Sequence, residues 1–196
     1  MKHNTEMFGK DAVERAQQMR QNARLIYATY HSDLLAAMDA LDNGADPNAR
    51  DADGVPVLVA ALSLHDTEHN NLEFLIAELL QAGAHPDGGI DEPAAPTPLD
   101  FALELEDTYI LRCLLESGAN VNAKDADGDT PLMRAAALGQ AEALHMLLAA
   151  GADATLRNNA GQTALDLAFE YEETTCGQLL EAHLFANIQT YRSTAP

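Results

Sequence analysis

Apolar residues fall in short blocks, and four of the blocks end in the same way, with a helical run carrying leucine and then Gly-Ala and a polar residue. These endings lie at 41–46, 79–85, 114–120 and 147–153. Their glycines, Gly44, Gly83, Gly118 and Gly151, are spaced 39, 35 and 33 residues apart. A unit this short cannot bury an apolar face alone, so the period predicts supersecondary units stacked on their neighbours. Ahead of the first block, Val13, Ala16 and Met19 are spaced for one face of a helix over 10–22, expected to cover the open end of the array. Residues 1–9 and 188–196 carry no such pattern and are expected to be flexible tails.

The polar positions between blocks identify the unit. From Gly118 the chain reads GANVNAKDADGDTPLMRAAALGQAEALHMLLAAGAD. Asp125-Ala126-Asp127-Gly128-Asp129 predicts a turn with glycine at a positive φ, and Thr130-Pro131-Leu132 predicts an N-cap followed by a first helical turn. The unit resembles the ankyrin repeat: a hairpin finger, an inner helix opening Thr-Pro-Leu, a tight turn, and an outer helix closing Leu-Leu-x-x-Gly-Ala. Thr97-Pro98-Leu99 and Thr163-Ala164-Leu165 repeat the opening, and Asp51-Ala52-Asp53-Gly54 repeats the turn. The resemblance covers five units, at 23–45, 46–84, 85–119, 120–152 and 153–187. It implies an all-α repeat solenoid with short β-hairpin loops, an elongated curved array.

Several departures accompany it. The family's histidine after Thr-Pro-Leu is replaced by Ile26, Val59, Asp100, Met133 and Asp166, which predicts weaker support between hairpins. Repeat two opens Pro56-Val57 and carries an insertion within 63–71, and the hairpin into repeat three is lengthened around 87–93. Such insertions are where individuality concentrates.

Composition narrows the class further. The chain is 47% apolar but only 5% aromatic, with no tryptophan, so its core must be leucine and alanine. No stretch reaches the eighteen apolar residues of a membrane span, and the start lacks a secretory segment, so a cytoplasmic protein is expected. Cys113 and Cys176 are expected as buried thiols too far apart to bridge.

The net charge is −20, and it is uneven. Residues 1–24 hold five basic and three acidic residues, while 25–196 hold six basic and twenty-eight acidic ones. That field repels nucleic-acid phosphate and anionic lipid and attracts a basic partner.

Motifs for chemistry are weak. Asp125–Asp129 looks like the start of a calcium loop, but glycine is fourth rather than sixth and the twelfth residue is Ala136, so a structural turn is the better reading. His65 and His69 stand at i and i+4 without a third ligand, as in a solvated loop. His85 and His145 suit surface or packing roles, and Glu172 and Glu173 a solvated turn. No catalytic residue, metal or cofactor is expected.

Binding remains. The resemblance implies contact through the concave face made by hairpins and inner-helix ends. The residues in register there are Tyr30, His31, Asp53, Val55, Leu64, Glu104, Leu105, Asp127, Asp129, Leu138, Asn159, Glu170 and Tyr171, with Tyr30 and Tyr171 as candidate anchors and Leu64, Leu105 and Leu138 as an apolar stripe. The expected molecule is a non-enzymatic scaffold or adaptor, monomeric alone, that binds a basic protein. The alternative is a stoichiometric inhibitor or immunity protein that neutralises a toxin or enzyme.

Overall fold

The computed structural model describes residues 2–64, 71–89 and 97–194. Ten α-helices are present among them, with one isolated bridge between Arg50 and Pro56 and no strand. The chain divides into two compact units, Met1–Gly89 and Ile90–Pro196. No helix among the described residues is long and apolar enough to cross a membrane.

In the first unit, α1 (Lys2–Tyr30) packs on α2 (Leu34–Asp42) and α3 (Val57–Ser63), and α4 (Asn71–Gln81) packs on α2 and α3. In the second, α5 (Pro98–Glu104), α7 (Pro131–Ala137) and α9 (Ala164–Glu170) stack as an inner row. The outer helices α6 (Thr108–Glu116), α8 (Ala141–Ala149) and α10 (Thr174–Thr194) stack behind them. In the second unit each inner helix is joined to its outer partner by a three-residue turn, which is the geometry that lets a thin unit bury one face against the next.

The buried columns follow the repeat. In the second unit Ala102, Ala135 and Ala168 are buried at equivalent places on α5, α7 and α9, and Ala28 and Ala61 hold that place in the first. A methyl side chain there allows the helix backbones to approach closely. Leu114, Leu147 and Leu180 are fully buried at one position of the outer row. Cys176 shares a column with Ile110 and Ala143 and is buried, whereas Cys113 lies at the edge of α6 and is half-buried rather than buried. Burial raises the pKa of both thiols.

The helix starts answer the departures noted above. Thr97, Thr130 and Thr163 accept from the amides of Asp100, Met133 and Asp166. Where the family carries histidine, Asp100 and Asp166 return the bond, accepting from the amide and hydroxyl of their own threonine. The substitution therefore closes a reciprocal cap on the same helix. Asp100 is buried and also faces Arg134 Nη1 at 3.7 Å.

Three expectations differ from what is seen. Instead of a tail and a separate capping helix ahead of the first repeat, residues 2–30 form the single helix α1, whose last turns carry the buried Leu25 and Ala28 of repeat one. Val13 and Met19 do not cover the array: they are 67% and 73% exposed, and Ala16 is exposed beside them. At 3.6 residues per turn that stripe projects roughly half a turn away from Leu25, Ala28 and Thr29, the residues that meet the body. At the other end α10 continues to Thr194 where a tail was expected. The insertion with His65 and His69, and the hairpin tip from Ile90 to Pro96, lie outside the described residues.

The turn between inner and outer helix demands a left-handed residue. It is Gly139 in one unit but Ser32, Glu106 and Glu172 at the equivalent places, with φ of 52°, 53° and 60°. A side chain in that region is disfavoured by about 1–2 kcal/mol, partly offset by the greater chain entropy that glycine loses. Glu172→Gly is therefore expected to raise stability by about 0.5–1 kcal/mol, read as a higher urea midpoint. Leu147→Ala empties a fully buried position and is expected to lower stability by about 2–5 kcal/mol, and an unchanged midpoint would contradict the stacking.

Candidate protein-interaction surface

The finger loops are built by side chains that bind backbone. Asp51 Oδ1 accepts from the amides of Asp53 and Val55, both at 2.9 Å. Asp125 Oδ1 accepts from those of Asp127 at 2.9 Å and Asp129 at 2.8 Å, and Asn158 Oδ1 from those of Ala160 at 3.1 Å and Gln162 at 2.9 Å. An aspartate or asparagine at one place thus folds the same five-residue loop three times, holding the loop amides that a strand ladder would otherwise take.

Neighbouring loops are also joined. Asn22 Oδ1 accepts from the amide of Asp46 at 2.8 Å, Asn48 Oδ1 from that of His85 at 2.8 Å, and Asn122 Oδ1 from that of Asp153 at 2.9 Å. In the second unit the amide of Asn159 donates to Asp127 O at 3.0 Å, its Nδ2 donates to Ala126 O, and Lys124 Nζ donates to Arg157 O at 2.7 Å. Gly128 is required at this crossing. Its φ is 76°, and a Cβ would stand 2.9 Å from the amide nitrogen of Asn159.

The expected contact residues fall into two groups. Some are engaged within the fold. Tyr30 donates its hydroxyl to Asp51 Oδ2, which pushes the tyrosine pKa up and the carboxyl pKa down. His31 stacks on Tyr27 with ring centroids 3.9 Å apart. Asp129 Oδ1 accepts from Asn158 Nδ2 at 2.7 Å, Asn159 carries the loop crossing, Glu104 pairs with Arg134 at 3.3 Å, and Glu170 accepts from Gln162. Others face solvent without such engagement. Asp53 and Asp127 stand at the tips of their loops. Leu64, Leu138 and Tyr171 are 37%, 51% and 58% exposed, each just after an inner helix, with Leu105 half-buried at the same place. Val55 is half-buried.

In the second unit, Leu138 and Tyr171 therefore present apolar surface at the ends of α7 and α9, and Asp127 presents charge at the loop that leads into α7. Phe169, 59% exposed on α9, has no place in the sequence-based set. At the equivalent repeat position Leu103 and Ala136 are buried, so the repeat pattern gave no signal for its exposure. No group of three or more metal-ligating side chains occurs among the described residues.

Three carboxyls are held below their ordinary pKa by hydrogen bonds: Asp51 chiefly by Tyr30, Asp153 chiefly by the Thr155 hydroxyl, and Asp166 chiefly by the Thr163 amide. A depressed carboxyl contributes stability above its unfolded value, and that contribution is lost as pH falls through the folded value. The stability curve is therefore expected to fall from about pH 4 downward, and Asp166→Asn should flatten that limb in acid titrations followed by circular dichroism. A second check concerns the loops. Asp125→Ala leaves two amides without their acceptor and is expected to cost roughly 1–3 kcal/mol in urea melts.

Comparison with known proteins places this geometry. The sequence model for ankyrin repeats (three copies) matches residues 99–191. The chain is 33% identical to mouse ankyrin repeat domain-containing protein 37 over 127 residues, 65% of this chain and 76% of the mouse protein. It is 42% identical to Protein PhlB of Serratia liquefaciens over 102 residues, 51% of this chain and 44% of PhlB. It is also 30% identical to human SH3 and multiple ankyrin repeat domains protein 2 over 158 residues, 80% of this chain and 8% of that much longer protein. Paired helices, threonine-capped inner rows, asparagine-linked loops and these matches agree, and the chain belongs to the ankyrin repeat family of protein-interaction modules.

Proposed function

We propose that this protein is a non-enzymatic adaptor that binds a basic protein through its loop tips and inner-helix ends. The supporting observation is the pairing of preorganised loops with unspent acids. Asp53 and Asp127 sit at the tips of loops locked by Asp51 and Asp125, and their carboxylates make no ion pair or hydrogen bond among the described residues. A rigid loop loses little entropy on binding, so a charge held there acts at full strength. The excess of acid over base in 25–196 supplies the long-range field that speeds encounter.

Apolar surface supplies the short-range part. Leu138 and Tyr171 give the second unit exposed apolar side chains just after α7 and α9. Aromatic anchors control dissociation more than encounter, whereas charge at the rim controls encounter. Cytoplasmic residence and a monomeric state fit this reading, since a soluble recruiting module requires neither membrane nor self-association.

Asp53→Lys and Asp127→Lys are the clean charge reversals, because Asp129, Glu104 and Glu170 are engaged within the fold. With a partner isolated by affinity capture, the double reversal is expected to slow association about tenfold at low salt and to flatten its salt dependence. Tyr171→Ala is expected chiefly to speed dissociation in the same surface plasmon resonance series. Unchanged association rates after charge reversal would leave the acids a role in solubility alone and sink the proposal.

A further inference from the structure

The last repeat leaves open a face that the repeats before it cover. Leu103 of α5 and Ala136 of α7 are buried, whereas Phe169 at the same register on α9 is 59% exposed. Leu99 and Leu132 are buried likewise, and Leu165 is only half-buried. The Asp100 side chain is 5% exposed and that of the equivalent Asp166 is 53% exposed. Stacking is the cause. Helix α7 packs on α5 and α9 packs on α7, but no further inner helix follows α9 among the described residues.

What covers such a face is visible inside the chain. Where repeat four stacks on repeat three, Arg134 of α7 reaches two acids of α5. Its Nη1 lies 3.7 Å from Asp100 Oδ1 and its Nη2 3.3 Å from Glu104 Oε1. Asp100 gives its other oxygen to the Thr97 cap. Where repeat five stacks on repeat four, Met133 and Ala137 hold the places of the two acids, and the buried Leu167 holds that of Arg134. In the first unit those places belong to Ile26 and Tyr30, with the buried Ala60 on the arriving helix. The arriving residue thus matches the pair beneath it: arginine on two acids, and an apolar side chain where the acid pair is missing.

Repeat five restores the acid pair. Asp166 and Glu170 hold the places of Asp100 and Glu104 on α9. Asp166 gives Oδ2 to the Thr163 cap, with Arg157 on that same oxygen at 3.7 Å, and Glu170 gives Oε2 to Gln162. Asp166 Oδ1 and Glu170 Oε1, the counterparts of the oxygens that hold Arg134, take no hydrogen bond among the described residues. Beside them the Phe169 ring lies along α10, where a Cβ at Gly177 would stand 3.5 Å from its Cε1. Acid in excess does not mark this place; register does, because the same pair holds arginine two repeats earlier. A bare cation gains little from acids so exposed, so the guest must also cover Leu165 and Phe169. We propose that the open side of α9 docks an α-helix of the basic partner, stacked as α7 stacks on α5, with an arginine between Asp166 and Glu170. A planar guanidinium reaches two carboxylates at once, which a lysine does not. The assignment rests on the reading of a basic partner and adds a contact on α9 to those at the loop tips.

The full-length ¹⁵N,¹³C-labelled protein is titrated with a helical alanine–glutamine peptide of about twenty residues that carries one central arginine. The same peptide with citrulline in place of arginine is the neutral control. The expected result is saturable shifts of the Leu165 methyls and of the Glu170 and Gly177 amides in the millimolar range, with no saturation from the control. Glu170→Gln keeps an oxygen for Gln162 and is expected to weaken binding about tenfold, with an unchanged urea midpoint as the check on folding. No saturable shift, equal shifts from the citrulline peptide, or full-strength binding by the variant each overturns the proposal. So does self-association of the free chain that Phe169→Glu abolishes, because the face then belongs to a second copy. With a partner isolated by affinity capture, Glu170→Gln is expected to weaken the complex about tenfold as well. A basic partner indifferent to Glu170→Gln removes this surface and leaves the loop tips standing, and one indifferent to the tip reversals does the converse.

Discussion

How closely one inner helix can approach the next governs everything else in each unit. Ala102, Ala135 and Ala168 set that distance in the second unit, as Ala28 and Ala61 do in the first. A helix of seven residues such as α5 or α7 is too short to be stable alone. It persists because a backbone is packed against its alanine face and a leucine-rich outer helix covers the other side. Larger side chains in those columns would separate the helices and open the leucine columns behind them.

Close stacking brings the loops within hydrogen-bond reach, and side chains then replace the strand pairing that short fingers lack. The repeated aspartate or asparagine at the loop start folds three of the fingers, and Asn22, Asn48 and Asn122 tie the finger bases at Asp46, His85 and Asp153 to the residues before them. The acids after threonine do comparable work at the helix starts. Asp100 and Asp166 hold their own caps, so no helix end is left open where the resemblance would place histidine. Polar residues here are structural first, which explains why several acids that look free in the sequence are already engaged.

Engagement is what separates the functional from the structural acids. With thirty-one acidic and eleven basic residues the chain has charge in excess everywhere, so charge alone marks no site. Position relative to a rigid loop does. Asp53 and Asp127 are held out by loops whose bonds use their backbone and not their carboxylates, whereas the Asp129 and Glu104 carboxylates bind neighbours.

The sequence by itself determined the repeat period, the paired helices, the turn chemistry at Asp125–Asp129 and the buried rank of Leu132 and Leu147, because these follow from local residue types recurring at a fixed spacing. It also determined the overall charge. Only the tertiary structure decided which way a periodic face points. Val13, Ala16 and Met19 have helical spacing, but spacing cannot say that Leu25 and Ala28 meet the body from the opposite side of the same helix. It decided too that Tyr30 binds Asp51, that Asn159 bridges two loops, and that Gln140 turns away from its cap. Those outcomes depend on atoms brought together from different repeats, which a pattern read along one chain does not contain.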